Sequence, residues 1–201
     1  MKIAASNAFF DAIYKESAGD ETKIPWAKLE TNPFLQEYLE QHIGEGRAIV
    51  IGAGLGDDAA ALCEAGFEVT AIDISETAVA WAKERFDYLE IDFRVQDIFE
   101  LPQEMLGKYD FVFESRTIQS LPLEFHPKII EAISTLVAPG GKLLVEANGK
   151  QEGEQFEGPP WPLSYNEVRL FGNYGLKELE FSIYEEETNL SSLKFKALYQ
   201  K

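Results

Sequence analysis

An apolar run that breaks into a turn with glycine at every second position constrains this chain more than any other feature. Residues 47 to 57 read Arg47-Ala48-Ile49-Val50-Ile51-Gly52-Ala53-Gly54-Leu55-Gly56-Asp57. Ala48 to Ile51 has the length and β-branched content of a buried strand. Asp57 to Ala65 reads as a helix that stops at Gly66, and Val69 to Ile72 as a second strand ending in Asp73. A strand, a glycine-rich turn, a helix and a strand with a terminal carboxylate suit a cofactor that contains adenosine. The glycines let the backbone approach the ligand, and the carboxylate accepts both ribose hydroxyls.

The glycine spacing narrows the cofactor. The dinucleotide fingerprint G-x-G-x-x-G carries a third glycine or alanine beside the pyrophosphate. Counted from Gly52, that position holds Asp57, and a carboxylate at a helix N-terminus repels a pyrophosphate. The run G-x-G-x-G followed by Asp57 and Asp58 resembles the first motif of class I S-adenosylmethionine-dependent methyltransferases. Their cofactor has no phosphate and carries a sulfonium cation. A tight strand-to-helix turn without a ligand uses the same glycines, so the segments that follow have to agree.

They agree in order. After Asp73 comes Ile74-Ser75-Glu76-Thr77, with Ser75 a good cap for a helix running to about Phe86. Ile91 to Val95 alternates as a strand and leads to Gln96-Asp97-Ile98. Tyr109 to Glu114 reads as a fourth strand. Leu136 to Val145 reads as a helix end, a Pro139-Gly140-Gly141 turn and a fifth strand, similar to a recurrent methyltransferase turn. The resemblance implies that Gly52, Ala53, Gly54 and Gly56 line the cofactor, that Asp73 with Ile74 holds the ribose, and that Asp97 with Ile98 holds the adenine. It places Glu114 at the methionine end. One position departs from the pattern: many class I enzymes carry an acidic residue two before the first glycine, and here it is Val50.

The implied fold class is α/β: a Rossmann-like, seven-stranded, mostly parallel sheet with helices on both faces and a C-terminal antiparallel hairpin. Its first five strands are expected near 48–51, 68–73, 91–95, 109–114 and 142–147, and the hairpin from Leu176–Tyr184 and Leu193–Tyr199. Ser164-Tyr165-Asn166-Glu167 reads as a capping box that opens the preceding helix, with Gly172 its stop. The 201 residues read as one domain, with an N-terminal helical cover (1–45), a cofactor-binding core (46–150) and a substrate loop, helix and hairpin (151–201).

In the N-terminal part, Asn32-Pro33 opens a helix whose apolar stripe is Phe34, Leu35, Tyr38, Leu39 and Ile43. Before it lie Phe9, Phe10 and Tyr14 at helical spacing, then Ile24-Pro25-Trp26. "P-W … N-P-F-L" resembles the thiopurine and thiol methyltransferase-like group of small-molecule enzymes, where the Trp region covers the cofactor. Gly158-Pro159-Pro160-Trp161-Pro162-Leu163-Ser164 resembles the same group, in a loop that lies over the C-terminal strand ends where ligands bind. Trp161, with Arg116 and Thr117 after the fourth strand, is therefore a candidate for contact with the methyl acceptor. Arg116 suits an anionic acceptor group.

Methyl transfer from a sulfonium is an in-line displacement, so the protein mainly positions, dries the site and removes a proton from protic acceptors. No catalytic residue is assigned; the candidates are Arg116 and His126, the latter as a base beside Pro127 at a helix start, where a surface position is expected. His42 ends a helix, where capping accounts for it. A thiol needs little help, so the absence of an obvious base leans toward soft acceptors. Cys63, in the first helix after the glycine turn, is expected buried and inert. No His, Cys or carboxylate cluster has metal-ligand spacing.

Net charge closes the list of partners. With 18 basic and 35 acidic residues, the chain stands at −17 and shows no basic cluster, which disfavours nucleic acid. Glu185-Glu186-Glu187 reads as solvated surface. No apolar stretch reaches membrane-spanning length, no signal segment is visible, and a single cysteine suits the cytoplasm. Two rivals stay open: an NAD(P)-dependent oxidoreductase, and a non-catalytic cofactor- or partner-binding protein. The oligomeric state is not legible.

Overall fold

The computed structural model describes residues 3–185 and 193–201, with side chains from residue 8 onward. The polar stretch between the last two strands lies outside the described residues, and with it Glu186 and Glu187. The chain forms two compact units, Met1–Glu100 and Leu101–Lys201.

In the first unit, β1 (Arg47–Ile51), β2 (Glu68–Asp73) and β3 (Ile91–Val95) are parallel in the order β3-β2-β1. Ala48, Ile49, Val50 and Ile51 are all buried, which explains a continuous apolar run in place of an alternating one. Ile51 stands opposite Ile72 and Asp73 opposite Val95, so the three strands end level and their following loops share one edge. Between the strands run α3 (Asp57–Glu64) and α4 (Glu76–Arg85). Helix α3 starts on left-handed Gly56 with Asp57 and Asp58 in its first turn, where carboxylates suit the helix dipole. Helix α4 is capped by the Ser75 hydroxyl, which accepts from Ala78 N at 3.0 Å.

Helix α1 covers Ile3–Ser17 and α2 covers Pro33–Gln41. Asn32 caps α2 as expected, its side chain accepting from Phe34 N at 2.9 Å. The apolar stripe stops earlier than expected. Ile43 lies beyond the helix and is 93% exposed. His42 takes extended backbone, stacks on the Tyr38 ring at 4.0 Å and puts Nδ1 2.9 Å from the Tyr38 carbonyl, one of the acceptors a helix end leaves unpaired. Cys63 is half-buried and not buried as expected, with its thiol 3.9 Å from the Glu90 carbonyl.

In the second unit the order is β4-β5-β8-β7, formed by β4 (Tyr109–Ser115), β5 (Val137–Lys150), β7 (Lys177–Glu185) and β8 (Leu193–Gln200). β4 and β5 are parallel, while β5–β8 and β8–β7 are antiparallel, so the closing strand sits between its neighbours. A two-residue β6 (Leu163–Ser164) adds to β5. β5 begins earlier than expected and runs through the Pro-Gly-Gly segment as a bulge: Tyr109 pairs with Val137 but Phe111 with Lys142. Gly140 is left-handed there, and its N–H donates to the Lys201 carbonyl at 2.8 Å. Helix α5 (His126–Leu136) buries Ile129, Ile130, Ile133 and Leu136. Helix α6 (Tyr165–Val168) opens on the expected capping box, with Ser164 and Glu167 each bonding the other's backbone. It continues as a 3-10 turn over Arg169–Tyr174 and stops at left-handed Gly175, three residues beyond the expected Gly172.

Candidate active site

The glycine turn of the first unit is built from left-handed residues: Gly52, Gly54 and Gly56 have φ of 63°, 53° and 92°. Side chains rarely adopt that backbone, which is why glycine recurs at every second position. The Gly54 N–H donates to Asp73 Oδ2 at 2.8 Å, and the Ser75 N–H donates to Oδ1 at 2.9 Å. Asp73 is thus oriented before any ligand arrives, and each oxygen keeps a second lone pair for a ribose hydroxyl. Burial pushes its carboxyl up from the usual range, against the pull of the Ser75, Gly54 and Ile74 N–H groups, and the charge of Asp11 adds to the rise. Asp97 and Ile98 are half-buried in the loop after β3. Asp97 Oδ1 accepts from Phe99 N at 2.8 Å, and Gln96 N donates to the Asp73 carbonyl at 2.9 Å, which ties that loop to the ribose candidate.

Tyr14 is buried and Trp26 half-buried, and the Trp26 Nε1–H donates to Tyr14 Oη at 2.8 Å. A Cβ on Gly54 would come 3.1 Å from that hydroxyl, so the N-terminal segment lies directly on the glycine turn. The ring pair packs with Ile24, Leu55 and Ala78. Of the other two aromatic residues in α1, Phe10 meets the edge of Trp26 at 5.4 Å, while Phe9 is exposed.

Two contacts here were not legible in sequence. Asp11 Oδ1 accepts from the Ser75 hydroxyl at 2.7 Å and from Thr77 N at 3.3 Å, 64 and 66 residues away. Its bond to Lys15 holds the Asp11 carboxyl well below the ordinary range. Asp57 forms a two-pronged pair with Arg85 at 2.7 and 2.8 Å, and Arg85 also donates to the Leu55 carbonyl at 2.6 Å. The charge of Asp57 is therefore paired in place by Arg85.

In the second unit, Glu114, the next-to-last residue of β4, is fully buried. Its Oε1 accepts from Thr117 N at 2.7 Å and Ile118 N at 3.0 Å, closing the turn after the strand. Oε2 has no hydrogen-bond partner among the described residues. Burial pushes the Glu114 carboxyl up to about 8; the Glu146 charge adds to this, and the Ile118 and Thr117 N–H groups and Arg116 oppose it. Arg116 is left-handed, with φ 62°. Its N–H donates to the Glu146 carbonyl at 3.0 Å, and its Nε lies 3.1 Å from Glu146 Oε2. Glu146 is itself buried and takes the Ser115 hydroxyl at 2.7 Å. Gln119 joins the group: its Oε1 accepts from Asn148 N and its carbonyl from Trp161 N, both at 2.7 Å. The structure therefore gathers Glu114, Arg116, Thr117 and, through Gln119, the half-buried Trp161. Gln119 lies in the loop after the fourth strand, where the resemblance puts acceptor-facing residues, whereas Glu146 went unseen because nothing local in the sequence marks a polar residue on a buried strand.

His126 is not on the surface as expected but 1% exposed. Its Nε2 lies 2.9 Å from the Leu121 carbonyl and its Nδ1 3.3 Å from Glu167 Oε1. Glu167 also receives Ser164 N at 2.7 Å and pairs with Lys150 at 3.4 Å. These partners pull the ring inward and engage both its nitrogens. Among the described residues no set of three His, Cys, Asp or Glu side chains is placed to hold a metal, and no helix is long and apolar enough to cross a membrane.

Residues 16–198 match the family described as thiopurine S-methyltransferase. Probable thiol methyltransferase 2 of Arabidopsis thaliana is 27% identical over 157 residues, covering 76% of this chain and 68% of that protein. The ubiquinone biosynthesis O-methyltransferase of Azotobacter vinelandii (strain DJ / ATCC BAA-1303) is 31% identical over 119 residues, 57% of this chain. The match spans 50% of that relative's length. Among solved structures, magnesium protoporphyrin IX methyltransferase of Synechocystis PCC 6803 with bound S-adenosylhomocysteine aligns at a TM-score of 0.73 and 17% identity, over 98% of this chain and 99% of that one. That likeness shows a shared fold, the Rossmann-like α/β class with mostly parallel strands and a closing antiparallel pair.

Proposed function

We propose, from the premise that this chain belongs to the thiopurine S-methyltransferase family and is thereby a methyltransferase dependent on S-adenosylmethionine, that it methylates a small thiol-like nucleophile in the cytoplasm. The observation that carries this reading is the left-handed glycine turn whose Gly54 N–H already orients the Asp73 carboxylate.

The residues fit that cofactor in two ways. The turn presents bare backbone beside an oriented carboxylate, and a buried acid, Glu114, keeps one oxygen without a partner. When bound, the cofactor supplies a methyl group already activated by its sulfonium. Gly52, Ala53, Gly54 and Gly56 bring backbone close to it. Asp73 with Ile74 takes the ribose, and Asp97 with Ile98 takes the adenine. Trp26, on Tyr14, covers the turn and excludes water. Glu114 takes the methionine end.

For the acceptor, Arg116 offers a guanidinium fixed through Nε by Glu146, which points to an anionic group on the substrate. Thr117 and Trp161 supply the pocket wall. A thiol fits best because it ionises near neutral pH, whereas both nitrogens of His126 are engaged elsewhere. The charge of −17 speaks against a nucleic-acid acceptor.

Thermal unfolding with S-adenosylhomocysteine, S-adenosylmethionine, NAD and NADP in parallel tests the reading. A ligand at a hundred times its dissociation constant stabilises by about 2.7 kcal/mol, or roughly 5–10 °C in a chain of this length. A shift with only the two methionine-derived ligands supports it. A shift with a nicotinamide dinucleotide instead revives the oxidoreductase, and no shift with any ligand favours a binding module without cofactor.

A further inference from the structure

Among the described residues, Glu114 Oε2 is the buried side-chain oxygen or nitrogen that has no hydrogen-bond partner. Such atoms are uncommon because an unpaired buried acceptor forfeits its hydration and gets nothing in return. The other oxygen of the same carboxyl is held by two backbone N–H groups, so the group cannot swing away to find a partner. Arg116 opposes the rise in the Glu114 carboxyl without cancelling it. Arg116 is bound through Nε to Glu146, a buried carboxylate on β5 that also takes the Ser115 hydroxyl. Glu146 thus engages Arg116 and stands opposite the buried Lys196 of β8, while Glu114 Oε2 is left without a donor among the described residues.

These contacts mark a site prepared for a positive group that the described residues do not supply. We propose that Glu114 is a proton-linked receptor for the ammonium at the methionine end of the cofactor: it holds a proton in the free protein and releases that proton to solvent when the ammonium arrives. The O–H bond of the carboxyl breaks, the proton passes to buffer, and an N–H···O ion pair forms at Oε2. The inference rests on the methyltransferase reading above. It goes beyond it by making cofactor affinity depend on pH through this chain's own carboxyl. The Glu114 carboxyl, pushed up to about 8, is in the protonated form at neutral pH.

Titration calorimetry of the intact protein with S-adenosylhomocysteine, in phosphate and in Tris at the same pH, reads the proton directly. The two buffers differ in ionisation enthalpy, so the difference in observed heat counts protons released. About 0.9 proton should appear per site at pH 7, falling steeply as pH rises through the range where Glu114 and the ligand's own amine both titrate, and affinity should rise about tenfold between pH 6 and pH 7. 5′-Methylthioadenosine, which has the ribose and adenine but no ammonium, reads any contribution of Asp73 alone and should release far less. Glu114→Gln should bind S-adenosylhomocysteine with the release gone. Equal heats in both buffers for the wild-type protein at pH 7 overturn the proposal, and this arm needs no variant to fold. A Glu114→Gln variant that releases as many protons as the wild type also overturns it. Failure of both adenosine ligands to bind overturns the methyltransferase reading itself, and the receptor with it.

Discussion

Replacing Glu114 by glutamine should make the ligand-free protein more resistant to unfolding as pH rises. The reasoning is a linkage argument. An ordinary glutamate carboxyl titrates near 4.5, and this one has been pushed up to about 8 by burial. The folded state therefore holds a proton that the unfolded state gives up. Stability contributed by this group is complete below 4.5 and is lost progressively until pH 8, above which the loss is constant. With those two values the wild-type protein loses about 3 kcal/mol between pH 5 and pH 8 from Glu114 alone. Glutamine has no such loss. Its amide can accept from the Thr117 and Ile118 N–H groups as Oε1 does, while its NH2 would lie unpaired where Oε2 now lies, at about 1–3 kcal/mol independent of pH. The informative quantity is thus the change in the gap between the two proteins. Melts at pH 5 and pH 8 should show the variant gaining about 3 kcal/mol on the wild type, roughly 6–12 °C in midpoint for a chain this long. A gap that is the same at both pH values would refute the reasoning, because it would mean that Glu114 is ionised in the fold throughout. A buried acid kept at a stability cost is what a binding role looks like when function and stability compete.

Two further outcomes follow from other sites. Burial raises the Glu167 carboxyl, but the His126 ring, Ser164 N–H and Lys150 outweigh it and bring the value down to about 2. Glu167→Gln should therefore lose about 1–3 kcal/mol at pH 7, measured by urea unfolding, and that deficit should fade as pH falls from 4.5 toward 2. An unchanged deficit at pH 3 would contradict the pairing. Gly56→Ala forces a side chain into φ 92° and sets its Cβ 3.0 Å from the Phe93 ring. The strain and overlap together should cost about 2–4 kcal/mol and lower the melting midpoint by roughly 5–15 °C. A midpoint equal to that of the wild type would show that the turn is not built as described.

The parts of this fold that depend on local chemistry were readable in advance. β2 was expected at 68–73 and runs over Glu68–Asp73, because a β-branched run bounded by glycine and a carboxylate leaves few other readings. The Ser164 capping box and the Asn32 cap follow from residue types two or three positions apart. What was missed depends on partners far along the chain. Arg85 closes on Asp57 across 28 residues, a pairing that no local pattern announces. His126 reads as a surface residue from its neighbours, and only Glu167, 41 positions on, draws it inside. The bulge at Pro139-Gly140-Gly141 extends β5 because the last residue, Lys201, donates to the Gly141 carbonyl at 3.0 Å and accepts from Gly140. Within the candidate site, glycine spacing pointed to the turn and to Asp73, whereas nothing local separated the orphaned oxygen of Glu114 from an ordinary buried acid.

The tie between Asp11 and Ser75 has a kinetic consequence. A single run of hydrogen bonds leads from Asp11 to the Ser75 hydroxyl, from the Ser75 N–H to Asp73, and from Asp73 to the Gly54 N–H, with Tyr14 of the same first helix resting on Gly54. The first helix cannot lift without undoing the bond at Ser75 and baring the glycine turn in the same movement. Entry and escape of an adenosine ligand would then share one barrier, set by how often the helix opens. Arrival would be gated by the protein's own fluctuation instead of by diffusion, and departure would be slowed by the same gate.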